Sequence, residues 1–309
     1  MKMIQNSIKY LILGMPFLAL TAFGQSSSDA YRVETFSVSD SPRVEIRTSG
    51  GFIEVHGNDG DEVIVEMYVR YGNRYLKSDD TDLSNFEITI EKRGDRVVAE
   101  ARSIRSRSGW FISGRTESIS FRLYVPEGAE VEGRTSGGNV SARNISNKVY
   151  LSTSGGRVTA TDLSGRAELK TSGGTLQLTD IDGVLNARTS GGSIAASGIN
   201  GTAELNTSGG NITLEKISAR MIARTSGGNI RAELSEFKEN LELSTSGGNI
   251  VIRVPEQKHY NLDLRGQRVN TTLENFTGEF ARNRIIGKVG DGGPLLSART
   301  SGGSVSISN

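Results

Sequence analysis

Two histidines, no cysteine and 35 acidic residues bound the chemistry open to this 309-residue chain. The lack of cysteine excludes disulfides, zinc–thiolate sites, a cysteine nucleophile and a lipid-modified N-terminal cysteine. His56 and His259 have no partner at metal-ligand spacing, so each reads as a surface histidine. Glycosidases need two facing carboxylates, whereas Glu168, Glu204 and Glu242 sit singly between apolar residues and are expected to point outward. No serine lies in a nucleophile elbow. The run GKVGDGG at 287–293 lacks the Lys-Ser/Thr ending and the following helix of a phosphate loop. Asp162, Asp180 and Asp182 fall near one another in adjacent repeats and could hold a cation, but they suit turn capping in solvent. The expectation is no enzyme, with no catalytic, cofactor-binding or metal-binding residue.

Contact chemistry is better represented. Thr-Ser-Gly-Gly recurs nine times, beginning at Thr48, Thr135, Thr153, Thr171, Thr189, Thr207, Thr225, Thr245 and Thr300. Stacked, these would form rows of hydroxyls able to meet carbohydrate or ice. The favoured alternative is structural: glycine permits the turn, while Thr and Ser satisfy backbone groups between repeats. Arg47, Arg134, Arg188, Arg224 and Arg299 would break a flat ice-binding array. Arg93-Gly94-Asp95 matches a motif read by some animal adhesion receptors, and equally describes a plain hairpin turn. The basic segment 102–115 carries the only Trp. Its Arg102, Arg105, Arg107, Trp110, Phe111 and Arg115 are the candidate ligand contacts, because exposed Trp and Arg are favoured at binding hot spots. The same Trp110 and Phe111 could instead fold down to cap the first repeat.

The elements that position these residues follow from the repeat. From Thr135 to Thr225 the spacing is 18 residues, five times running. Counting Thr as one, offsets 6, 8, 11, 15 and 17 are apolar; in one repeat these are Leu176, Leu178, Ile181, Leu185 and Ala187. Spacing by two is the period of a half-buried strand. Gly-Gly marks one turn, and Gly165, Gly183 and Gly201 mark a second. Two strands and two turns in 18 residues leave no room for a helix, and no repeat can bury its own apolar face. The prediction is an all-β fold: a parallel β-solenoid (β-helix) of 18-residue coils with a strand-rich N-terminal cap. Offsets 8 and 17 read Ala142/Leu151, Ala160/Leu169, Leu178/Ala187, Ala196/Leu205 and Leu214/Ala223, and the corresponding positions of the 20-residue unit from Thr225 read Ala232/Leu243, so an Ala always meets a Leu. Facing partners in a thin core would keep their summed volume constant in this way.

Residues 1–24 form a signal peptide, with Lys2 and Lys9 before the apolar Leu11 to Phe23 and a small-residue cleavage site at Ala22-Phe23-Gly24. The remaining organisation is 25–130 as N-terminal cap and first coil, 131–254 as regular repeats, and 255–309 as an irregular coil whose last repeat closes the chain. The whole chain holds 36 basic and 35 acidic residues; losing Lys2 and Lys9 leaves one excess negative charge. A nucleic-acid binder needs a basic surplus. No later apolar run reaches the roughly 18 residues of a membrane span.

Three segments resemble a family of exported bacterial domains of unknown function with β-strand repeats, known as putative adhesins. They are FSVSDSPRVEIRTSGGFIEVHGNDGDEVIVE, LYVPEGAEVEGRTSGGNVSA and IIGKVGDGGPLLSARTSGGSVSISN. The resemblance implies a β-solenoid at the cell envelope and brings no matched catalytic or ligand residues. The expected function is a non-catalytic, adhesin-like binding protein at the cell surface, in the periplasm or outside the cell. Its partner would be a glycan or an envelope or surface protein. The alternative is an envelope scaffold, structural or signalling, that binds other envelope proteins or itself end to end.

Overall fold

The structure is a computed structural model, and it describes residues 29–78, 83–104, 117–234, 237–256, 259–272 and 274–308. The signal-peptide reading therefore lies outside the described residues. Nine strands form the N-terminal part: β1 (Arg32–Ser37), β2 (Arg43–Arg47), β3 (Ile53–Asn58), β4 (Glu62–Tyr71), β5 (Arg74–Leu76), β6 (Phe86–Arg93), β7 (Arg96–Ser103), β8 (Ser118–Pro126) and β9 (Glu130–Arg134). The repeats supply β10 (Val140–Ile145), β11 (Lys148–Ser152), β12 (Val158–Lys170), β13 (Leu176–Arg188), β14 (Ile194–Asn206), β15 (Ile212–Thr225), β16 (Ile230–Leu234), β17 (Leu241–Thr245) and β18 (Ile250–Arg253). The C-terminal part holds β19 (Tyr260–Arg265), β20 (Arg268–Thr271), β21 (Phe276–Ala281), β22 (Arg284–Val289), β23 (Leu295–Thr300) and β24 (Ser304–Ser308).

The repeats stack in parallel and in register, as the 18-residue period requires. Leu176 lies beside Val158 and Ile194, and Ala187 beside Leu169 and Leu205. All five apolar offsets of this coil are at most 2% exposed. The twelve Ala and Leu of offsets 8 and 17 are likewise buried in one continuous core. One expectation is refined. The second turn does not interrupt the chain of hydrogen bonds, because β12 to β14 run 13 residues each straight through it. The bend is absorbed by a left-handed backbone at offset 10 (Asp162, Asp180, Gly198, Lys216) and at the stacked Gly165, Gly183 and Gly201. Register is kept through the corner, so the ladder bonds on both sides of it survive. Asp162 and Asp180 are thus corner residues.

Both ends reverse the order of chain and space. The strand β2 lies between β7 and β9, and β3 between β8 and β10. The outermost N-terminal coil is therefore β7–β8, although β2–β3 precedes it in the chain. At the other end β23 lies between β17 and β19, and β24 between β18 and β20. The last repeat closes the chain but does not end the stack. It slots inside, and the antiparallel β19–β22 pair with β20 forms the outer end. Each end carries antiparallel additions: β1, β4 and β8 at one, β19, β22 and β21 at the other. A stack ended this way presents short or antiparallel strands instead of an open repeat, which limits edge-to-edge pairing.

Candidate functional site

Every Thr of the repeat turns inward, with 3–9% exposure. The Thr189 hydroxyl donates to the Gly174 carbonyl of the preceding coil at 2.9 Å and accepts the Gly192 N–H of its own turn at 3.3 Å. Thr153, Thr171, Thr207, Thr225, Thr245 and Thr300 do the same. The threonines are staples between coils, and none is available to a ligand. Thr189→Val keeps the shape and leaves a buried carbonyl and N–H unpartnered. We expect a loss of about 1–3 kcal/mol in denaturant unfolding, largely restored by Thr189→Ser.

The serines diverge from that pattern. Their backbones stack, Ser172 N–H to Ser154 O at 3.2 Å and Ser190 N–H to Ser172 O at 3.1 Å, continuing through Ser208, Ser226 and Ser246. Their side chains are exposed and make no hydrogen bond to another described residue. Beside them runs the residue preceding each Thr, in register: Ser152, Lys170, Arg188, Asn206, Arg224 and Ser244. The two rows flank a polar groove of about 710 Å³ floored by the threonines. Its cations are tied to the neighbouring face: Arg188 to Glu204 at 3.2 Å, Arg224 to Glu242 at 2.8 Å, and Lys170 to Glu168. These carboxylates do point outward, each more than a third exposed. Such exposed pairs contribute about 0–1 kcal/mol, so a ligand oxygen can replace the carboxylate at little cost.

An inward Thr staple, an outward Ser and paired glycines at each turn, repeated along a parallel stack, place the fold. The chain belongs to the Toastrack DUF4097 family, whose model matches residues 22–308. No curated protein matches it. Among solved structures, the Toastrack chain is similar to a "putative adhesin" from Parabacteroides merdae. That match has 11% identity and a TM-score of 0.46, over 89% of this chain and 95% of that one. It is also similar to a "putative lipid binding protein" from Parabacteroides distasonis, at 14% identity and TM-score 0.42, over 89% and 96%. A "putative adhesin" from Bacteroides fragilis gives 13% and 0.37, over 90% and 96%.

Of the predicted contacts in this Toastrack chain, Arg102 sits exposed near the end of β7, 3.1 Å from Glu100. Arg105, Arg107, Trp110, Phe111 and Arg115 lie outside the described residues. Their flanks are informative. Thr48 donates to Ile119 O at 2.6 Å where Thr153 donates to Gly138 O, so the start of β8 takes the place that the Gly-Gly turn holds in other coils. Arg93-Gly94-Asp95 is the β6–β7 hairpin turn, with Gly94 at φ 62°. The Asp95 carboxylate is drawn back onto Ser39, whose N–H (3.0 Å) and hydroxyl (2.5 Å) hold it below the usual carboxylate range. The glycine run 287–293 makes the turn from β22 toward β23. His259 is exposed, its Nδ1 accepting the Asp291 N–H at 3.0 Å.

Sequence reading missed two features. Asn211, Asn229 and Asn249 each accept, through Oδ1, the N–H of the same offset one coil on, at 2.8 Å. Their recurrence at offset 5 was a usable signal for this asparagine ladder. The other is His56. It is half-buried in the outer face of the N-terminal sheet, stacked on Tyr124 with ring centroids 5.4 Å apart. Arg143 Nε donates to its Nδ1. Nothing local in the sequence announces this, because β3, β8 and β10 come from three separate stretches.

Proposed function

We propose that this protein is a non-catalytic binding protein of the cell envelope that holds an extended glycan along the serine groove. The observation that carries the reading is the row of exposed serine hydroxyls at Ser154, Ser172, Ser190, Ser208, Ser226 and Ser246, without partners among the described residues. Hydroxyls repeating at the coil spacing suit a polymer that also repeats hydroxyls. The guanidinium, ammonium and amide groups of Arg188, Arg224, Lys170 and Asn206 add donors for its oxygens. Export by the N-terminal segment would place the groove where glycans are met. Among the described residues the groove is lined by hydroxyl, amide and cationic side chains.

Affinity electrophoresis through neutral and uronic-acid polysaccharides tests this. At least one should retard the wild type. The triple variant Arg188→Glu, Ser190→Asp, Ser208→Asp should run at least tenfold less retarded at equal melting temperature. Retention by a uronic-acid polymer should weaken as salt rises from about 0.1 M to 1 M, where the screening length falls from about 10 Å to 3 Å. Equal retardation of the variant removes the groove from the reading. No retardation in any gel turns the assignment toward a protein-binding scaffold.

A further inference from the structure

The outer face of the N-terminal sheet differs from the coils it continues. In the regular coils this face carries Thr159, Thr161, Gln177, Thr179, Ala195 and Ser197. Across β10, β3, β8, β4 and β1 the same rows become chemically varied. One row reads Arg143, His56, Tyr124, Ile64 and Thr35 in direct register. The next reads Glu54, Arg122, Glu66 and Val33.

The second row is a fixed base. Arg122 Nε bonds Glu54 at 2.8 Å, and its other nitrogen reaches the Tyr68 hydroxyl at 3.0 Å. That hydroxyl donates to the buried Glu66 at 2.6 Å. The imidazole edge of His56, with Arg122, holds the Glu54 carboxyl below its usual range. The first row forms the wall of a cleft of about 690 Å³, within the roughly 300–1,000 Å³ usual for small-molecule sites. Its apolar surface is the Tyr124 ring with Ile64 and Val33, the latter 44% exposed. Its rim carries Asp59, Glu127 and Arg143. Because Arg143 Nε is given to His56 Nδ1, the terminal nitrogens of this exposed guanidinium remain for a ligand. The His56 Nε2 is buried, 4.0 Å from Glu54, and has no hydrogen-bond partner.

We infer that this cleft binds a single neutral hexopyranose residue. Its CH face would lie on Tyr124 and its hydroxyls would be shared among Asp59, Glu127 and Arg143. An aromatic platform flanked by carboxylates and a guanidinium supplies both faces that a pyranose presents, one apolar and one rich in donors and acceptors. On the exposed rim Asp59 and Glu127 outnumber Arg143, so an acidic sugar is disfavoured here. The cleft opens at the corner after β3 and β10, on another face from the serines. The inference therefore stands whether or not the groove binds a polymer.

The test is saturation-transfer NMR and calorimetry of the full mature chain with the methyl glycosides of glucose, galactose, mannose and N-acetylglucosamine. At least one should bind with a Kd of about 1 mM, as weak single-residue sites do. Tyr124→Ala should weaken it about tenfold while Tyr124→Phe retains it. The exposed changes Asp59→Asn and Arg143→Gln should each weaken it as well. Arg268→Ala, an exposed change on β20 away from both the cleft and the groove, should leave it unchanged. Failure of all four glycosides overturns the inference. So does binding that survives both Asp59→Asn and Arg143→Gln, or tighter binding of methyl glucuronide than of every neutral glycoside.

Discussion

Gly192→Ala should break the stack, and Gly191→Ala, one residue earlier, should barely register. A Cβ on Gly192 would stand 1.8 Å from the Gly174 carbonyl oxygen and 2.4 Å from its carbon. Both are backbone atoms of the coil below, so no side chain can move aside. On Gly191 the nearest atom to a Cβ is 3.7 Å away, ordinary contact, and the residue faces solvent. The pattern holds at every repeat: the second glycine meets backbone at 1.7–2.1 Å. Opening the coils enough for one methyl would cost the Thr189 staple and ladder bonds on both sides. The expected loss for Gly192→Ala exceeds about 4 kcal/mol, with amide exchange rising first in the adjacent coils. Gly191→Ala should change stability by under about 1 kcal/mol, in either direction. A Gly192→Ala protein that melts with the wild type would mean the turns can separate freely.

The second large effect lies in the core. Leu169 and Ala160 are both 0% exposed, at offsets 17 and 8 of one coil. Leu169→Ala alone should cost about 2–5 kcal/mol, from lost burial and the cavity left behind. If the Ala/Leu alternation records facing partners, adding Ala160→Leu returns the missing volume, and the double variant should recover part of the loss. Contacting sites are non-additive in this way and distant ones are not. Chemical denaturation of the wild type, both single variants and the double variant measures the coupling. A double variant that loses the sum of its singles would show that offsets 8 and 17 do not fill one another's space.

The functional surfaces were less legible than the core. Hydroxyl rows were visible in Thr-Ser-Gly-Gly, but their division was not. Thr189 is hidden and Ser190 is open because adjacent side chains on the turn leave opposite sides of the backbone, and the sidedness depends on how the coils stack. His56 looked solitary because its partners Tyr124 and Arg143 are 68 and 87 positions away in the chain, joined only by strand pairing. The placing of the last repeat inside the stack was equally hidden. A repeat's place in the chain does not say which neighbour it pairs with once the chain can leave the stack and return.

By itself the sequence determined what repeats locally. The 18-residue period, the alternation of apolar offsets and the glycine pairs each concern residues close in the chain. Together they admit one economical solution, a parallel stack burying offsets 6, 8, 11, 15 and 17. The tertiary structure decided what depends on which coils touch: the glycine that no side chain can replace, the hydroxyl that staples and the one left open, the order of coils at each end, and the cleft around His56. The physical reason is range. Strand period and turn chemistry act over a few residues, while close approach, pairing and burial act between segments whose separation along the chain carries no record of their distance in space.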